Sequence, residues 1–245
     1  MFGLRPRHFR FRFRSTLVAA GAACALMPSL ALAQAQQPSH TRTPASHKTH
    51  GTSTHVTLQK IDPAAGMADQ EDLVGQQAFD FSLVDTQGKT HTLSEYVNQG
   101  KIVVLEWFNP TCPFSRFHHV RKSTMTDIYA KYADKDVVWL AINSGEEDST
   151  NSPAINEETR KKWKVTYPIL LDPTGKVGKA YGAKNTPTMY VIGAAGTIAY
   201  VGAIDNKRAP DEPAYVDSAL KSLTAGSVVQ TSYAKPYGCS VKYKN

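Results

Sequence analysis

An α/β architecture, a central mixed β-sheet flanked by helices on both faces, is what this 245-residue sequence predicts, and three observations predict it. Two runs, Ile102-Val103-Val104-Leu105 and Val137 to Ile142, are continuously apolar, as strands are when a sheet buries both their faces. Stretches with helical spacing separate the strand-like runs, and that alternation implies parallel strands joined by crossover helices. Near the end, Thr188 to Ile192 and Thr197 to Gly202 are separated only by a short glycine-containing turn, which makes an antiparallel hairpin.

Taken in order, residues 1–33 read as a targeting segment. Arg5, Arg7, Arg10, Arg12 and Arg14 precede an apolar stretch from Leu17 to Leu32 that ends in Ala31-Leu32-Ala33, the pattern of a cleaved secretory signal. Pro28 and Ser29 interrupt the stretch, which falls short of the ~20 apolar residues of a spanning helix. Gly21 argues against a lipoprotein site at Cys24, and the lack of an adjacent arginine pair favours general secretion over twin-arginine export. The expected location is therefore periplasmic or secreted, with no transmembrane segment after signal removal. Five of the 28 basic residues and none of the 21 acidic ones precede residue 34, so the remainder carries 23 against 21, or +2. A nearly neutral domain gives no footing for nucleic acid.

Residues 34–66 are rich in Ser, Thr, His, Pro and Gln, too polar to offset the entropy of ordering, and read as a disordered linker. His40, His47, His50 and His55 lie in it; their irregular spacing leaves a solvated tether as the reading, with no metal site assigned. The domain proper spans 67–225, the size of one core-forming unit, and 226–245 is a tail outside the minimal fold.

Within the domain, Phe79 to Val84 and Thr90 to Leu93 read as short strands around Asp85-Thr86-Gln87-Gly88. Lys101 to Phe108 is the central strand, interrupted by Glu106, a carboxylate that is expensive to bury unless something pairs with it or uses it. The helix after Cys112 carries Phe114, Phe117, Val120, Met125, Ile128, Tyr129 and Tyr132 at mostly three- and four-residue intervals, predicting one apolar face toward the sheet. Ser152-Pro153 starts another helix, with acids early and Arg160, Lys161 and Lys162 late, as the helix dipole favours. Tyr167 to Leu171 is a strand, Val177 to Tyr181 a helical turn, and Tyr215 to Leu223 the closing helix.

The stretch Glu106-Trp107-Phe108-Asn109-Pro110-Thr111-Cys112-Pro113-Phe114-Ser115 carries the chemistry. Pro113 suits a first helical position, which makes Cys112 the N-cap residue. Unpaired N–H groups and the helix dipole there favour a thiolate. The other reading of such a cysteine is a small buried apolar residue.

Here the sequence resembles the thioredoxin-like superfamily, and within it the redoxins of the alkyl hydroperoxide reductase/thiol-specific antioxidant (AhpC/TSA) family. The resemblance covers about residues 73–225 and rests on Val74-Gly75-Gln76 with Phe79-Asp80-Phe81, on Trp107 with Cys112-Pro113-Phe114-Ser115, and on Thr186-Pro187-Thr188-Met189-Tyr190-Val191-Ile192. It implies a cis proline at Pro187 facing Cys112, with the backbone at Thr186 pairing with substrate. It also implies a proton-relay role for Glu106, six residues before Cys112, whose pKa burial should raise. Trp107, Asn109, Thr111, Ser115 and Arg116 complete the expected substrate-binding set. Peroxiredoxins place threonine three residues before the peroxidatic cysteine; here Asn109 stands there, with Thr111 or Asn109 as its substitute and Arg116 as the group that steadies the thiolate. His118 and His119 are compatible with acid–base work or with ordinary packing.

Ser115 occupies the place where a Cys-x-x-Cys motif has its second thiol, so Cys112 needs a distant partner or an external thiol. After signal removal only Cys239 is available. At about 3.3 Å per extended residue the tail can bring it to most of the domain surface, where it resolves an intermediate on Cys112, cross-links two chains, or stays free. The expected function is an exported thiol-dependent oxidoreductase with antioxidant activity, without cofactor. It would reduce a peroxide or a protein disulfide and be restored by an external thiol reductant or a thioredoxin-like protein. The alternative is a non-catalytic module with a structural Cys112–Cys239 disulfide. Copper handling would want a second thiolate where Arg116 stands. The redox reading requires a Cys112 sulfur that is ionised, reachable and opposite Pro187.

Overall fold

The computed structural model describes residues 55–145, 148, 151–207 and 214–243. The targeting segment and the linker up to residue 54 lie outside the described residues. Eight strands form one sheet in the order β2-β1-β5-β4-β3-β7-β8-β9. They are β1 (Ser82–Asp85), β2 (Thr90–Thr92), β3 (Ile102–Trp107), β4 (Val137–Ser144), β5 (Ile169–Asp172), β7 (Thr188–Ile192), β8 (Ile198–Gly202) and β9 (Tyr233–Ala234). The two-residue strands β6 (Asn185–Thr186) and β10 (Cys239–Ser240) pair separately. The helices are α1 (Leu93–Asn98), α2 (Pro113–Arg116), α3 (Thr124–Tyr132), α4 (Pro153–Lys162), α5 (Lys176–Ala180) and α6 (Tyr215–Thr224).

The two apolar runs are the two central strands. β3 pairs parallel with β4 over six residues, from Ile102↔Val137 to Trp107↔Ile142, and antiparallel with β7 on its other side. The sheet is therefore mixed, as expected, and the β7–β8 pair is the predicted hairpin. Because strand side chains alternate, Val103, Leu105 and Trp107 join Leu93, Val97, Val177 and Tyr181 on one face. Val104 and Phe108 join Met125, Ile128, Val216 and Leu220 on the other, and Glu106 shares that second face by its position between them.

Three expectations need correction. The linker gives way to domain structure at Val56, whose N–H bonds Asn98 Oδ1 (3.0 Å); Gln59 bridges Phe79, and Leu58 is buried, since these few apolar residues reach the first core face. The helix after Cys112 is not one amphipathic rod. α2 passes into a π-helical turn over Phe117–Arg121, in which Lys122 N–H reaches back to Phe117 O, and Ser123 (φ 54°) breaks the chain before α3. Phe117 and Val120 are consequently 44% and 45% exposed, while His118 and His119 turn inward. The tail, third, is woven onto the domain. β9 adds parallel to β8, β10 pairs antiparallel with β6, and the Tyr243 hydroxyl donates to Ala183 O (2.6 Å).

Candidate active site

Cys112 stands where the central strand hands over to the helical segment. Past β3, the Asn109 side-chain oxygen accepts from the Thr111 N–H (2.8 Å) and hydroxyl (2.7 Å), closing an Asx turn. Cys112 follows with an extended backbone (φ −76°, ψ 120°), its carbonyl accepts the Arg116 N–H (3.0 Å), and Pro113 opens α2. The expected N-cap position is therefore the observed one. With α2 only four residues long, the groups acting on the sulfur are individual donors more than a macrodipole.

Across the sulfur lies the predicted proline turn. The Thr186–Pro187 peptide bond is cis, the Thr188 hydroxyl donates to Asn185 O (2.8 Å), and the Cys112 thiol donates to Thr186 O at 3.1 Å. The tail supplies the third side. Cys239 faces Thr186 in the β10–β6 pair, and its Sγ lies 2.8 Å from Cys112 Sγ, both being free thiols. Cys112 is only 2% exposed, where a sulfur open to solvent was expected, because the chain's own C-terminal strand lies over it.

These contacts split the two thiols' acidities. Burial alone would push Cys112 up; the Cys239 thiol, the Thr186 side chain and the backbone N–H groups of Ser115 and Cys239 outweigh it and hold Cys112 below the usual thiol value. Cys239 is pushed up to about 11 by burial and by its bond to Cys112. Of the two coupled thiols, Cys112 is therefore the stronger acid and Cys239 the weaker.

Two polar clusters flank this pair, each anchored by an acid and one of the two adjacent histidines. In the interior, Glu106 accepts from His119 Nε2 (2.6 Å), Trp139 Nε1 (2.9 Å) and the Tyr167 hydroxyl (2.8 Å), with no solvent exposure. Burial raises its pKa, but the charge and hydrogen bonds of these donors prevail and the net shift is downward, the reverse of the shift expected for a neutral-pH relay. Behind Cys112, the buried Ser115 Oγ and His119 Nδ1 have no hydrogen-bond partner among the described residues. Toward the surface, Asp205 accepts from Lys122 Nζ (2.6 Å) and from the Tyr237 hydroxyl (2.5 Å), and His118 Nε2 lies 2.8 Å from that hydroxyl. Sequence reasoning missed Asp205 and Tyr237, since nothing local marks them; the doubled histidine was the available signal.

Of the other predicted substrate-binding residues, Trp107 is wholly buried, donating to Ser144 Oγ (3.1 Å) among the rings of Tyr181 and Tyr190. It is a core residue because β3 is covered on both faces. Asn109 and Thr111 bond each other, and Arg116 is exposed. Beside the thiols, an apolar cavity of about 410 Å³ is lined by Pro113, Phe114, Phe117, His118, Lys207 and Tyr237, among others.

The sequence profile described as the AhpC/TSA family matches residues 74–201, just over half of the chain. Among curated proteins, the thiol-disulfide oxidoreductase ResA of Geobacillus thermodenitrificans is 33% identical over 127 residues, 51% of this chain and 66% of that protein. The chain thus spans just under two thirds of that relative's length. Among solved structures, an uncharacterized conserved protein from Geobacillus kaustophilus superposes with a TM-score of 0.63 at 26% identity, covering 74% of this chain and 96% of that one. A hypothetical protein from Sinorhizobium meliloti gives 0.63 at 24% identity, covering 70% and 94%, a likeness of fold. The fold is the thioredoxin-like one.

Proposed function

The chain belongs to the AhpC/TSA family, and on that premise we propose that it is an exported thiol-based oxidoreductase whose working pair is Cys112 and Cys239. The observation that carries this reading is the 2.8 Å approach of the two sulfurs across the Thr186–Pro187 turn. In thiol–disulfide exchange the Cys112 thiolate attacks one sulfur of a substrate disulfide, forming a mixed disulfide and expelling the other sulfur as a thiolate. Cys239 then gives up its proton and attacks Cys112 Sγ, which frees the first substrate sulfur and leaves a Cys112–Cys239 disulfide. An external thiol reductant or a thioredoxin-like protein restores the dithiol. Thr186 and Pro187 position the substrate, and Ser115 contributes its N–H to the thiolate. Glu106 acts through His119, whose ring it holds. The targeting pattern of residues 1–33 supports a periplasmic or secreted site of action, and among the described residues no helix is long and apolar enough to cross a membrane.

The docked tail favours peroxide as a second substrate class, because a small oxidant needs no free strand edge. Cys112 would attack one peroxide oxygen, expel the other as water or alcohol, and become a sulfenic acid that condenses with Cys239 to the same disulfide, releasing water. One experiment tests both. The reduced protein is treated with one equivalent of hydrogen peroxide or of oxidised glutathione and its thiols are mapped by mass spectrometry, alongside Cys239→Ser with a sulfenic-acid trap. A Cys112–Cys239 disulfide formed by either oxidant, with a trapped or glutathionylated Cys112 in Cys239→Ser, is the expected result. A disulfide that resists mild reductant throughout would sink the redox reading in favour of a structural bridge.

A further inference from the structure

The tail does more than bring a second thiol. Its residues 237–241 lie on the substrate-facing edge as an extended segment with cysteine at its centre. Cys239 pairs with Thr186 and Ser240 with Asn185, Val241 N–H bonds Lys184 O (3.0 Å), and Thr186 Oγ1 and Asn185 Nδ2 reach the carbonyls of Cys239 and Gly238 (both 3.4 Å). The residue before the cysteine is held to glycine twice over. Its φ is +143°, and a Cβ there would stand 2.0 Å from Thr186 O, so only a chain without a side chain at that point lies flat on this edge. The residue before that fills a slot: the Tyr237 ring packs edge-on against Phe114 (5.9 Å), and its hydroxyl sits between His118 and Asp205.

Resting on the disulfide-exchange reading, we infer that the Asn185–Thr186 edge selects partner proteins presenting an extended aromatic–glycine–cysteine segment, and that residues 237–241 compete for the same edge. Tail and partner cannot pair with Thr186 together, since each uses the same backbone groups. A partner disulfide therefore enters as the tail lifts, and Cys112 forms the mixed disulfide while the partner's second sulfur leaves as a thiolate. When the tail returns, Cys239 attacks Cys112 Sγ and breaks its bond to the partner sulfur. The same movement replaces the partner's strand hydrogen bonds with the chain's own, so resolution and product release are one event. Gly238 and Tyr237 are its positioning residues.

The test uses the full chain carrying Cys239→Ser and two synthetic peptides, Lys-Pro-Tyr-Gly-Cys-Ser-Val-Lys and the same peptide with valine for glycine, each as its mixed disulfide with thionitrobenzoate. Loss of the strand pairing for the valine peptide should slow its capture by Cys112 by about tenfold or more relative to the glycine peptide. Adding Gly238→Val to the same chain should lift the tail and speed capture of the glycine peptide, by about tenfold. Equal capture of the two peptides, with no gain from Gly238→Val, would overturn the inference. The free thionitrobenzoate dimer separates the two levels: reaction with it but no discrimination between peptides removes only the edge selectivity and the competition. Failure to react with any of the three removes the disulfide-exchange reading as well.

Discussion

His118 and His119 are neighbours in the chain that serve opposite sides of the site. His119 faces the sheet, where Glu106, Trp139 and Tyr167 form a closed set with no solvent contact. His118, equally buried, faces the tail through Tyr237 and Asp205, and Asp205 is also paired to Lys122, which is a third exposed. A regular α-helix points successive side chains about 100° apart. The wider π-turn over Phe117–Arg121 narrows that step, and both rings are buried, against different partners, at a deformation often found at functional sites. The comparison teaches that the inner cluster fixes the helix to the fold, whereas the outer one fixes the tail to the helix. Breaking the first should cost stability, and breaking the second should cost the meeting of the two thiols.

Glu106→Ala is the harshest test of that division. It leaves buried donors on His119, Trp139 and Tyr167 with no acceptor, and should lower unfolding free energy by about 3–5 kcal/mol, read from urea denaturation of the reduced protein. Its downward-shifted pKa adds a sign. The carboxylate contributes its stability above the ordinary glutamate range, and that contribution is lost as pH falls through the lowered folded value, so the variant's deficit should shrink in acid.

Tyr237→Phe should act the other way round. Removing one hydroxyl between His118 and Asp205 should cost only about 1 kcal/mol in global stability, yet slow Cys112–Cys239 disulfide formation after a pulse of oxidant. Rapid-quench alkylation followed by mass analysis reads the rate. If Tyr237→Phe lost stability as Glu106→Ala does while disulfide formation kept its rate, the two clusters would not divide their work in this way.

The smallest effect is electrostatic and leaves the fold alone. With Cys112 held below and Cys239 raised to about 11, alkylation of the reduced protein should show one thiol that stays reactive as pH drops below the free-thiol value of about 8.5 and a second that reacts only in strong alkali. Cys239→Ala removes the thiol whose hydrogen bond with Cys112 helps hold Cys112 down, so the Cys112 profile should move toward higher pH. An unmoved profile would assign the lowering to Thr186 and to the backbone N–H groups of Ser115 and of position 239.

Much of the domain was legible beforehand for physical reasons. Short, β-branched apolar runs read as strands covered on both sides, and Pro113 after a strand and turn marks a helix start with Cys112 as its cap. Glu106 could be singled out because a charge within an apolar run demands a partner. What that partner was, and hence the direction of its pKa, depended first on His119 and then on Trp139 and Tyr167, which the π-turn and two other segments bring to it. Phe117 and Val120 misled because periodicity assumes 3.6 residues per turn and the π-turn does not keep it. Trp107 resembled a site residue by its nearness to Cys112 in sequence, but alternation sends it into the core.

From sequence alone, then, came the α/β class, the central strand and the place of Cys112 at a helix start, each set by local pattern, while the proline turn opposite it came from the resemblance to thioredoxin-like proteins. Only the tertiary structure decided that Cys239 lies against Cys112, that the tail covers the sulfur as a paired strand, and that Asp205 and Tyr237 hold it there. Those are meetings between segments far apart in the chain, decided by which backbone edge is left open and which side chain leaves room for it. Composition and spacing carry no record of either.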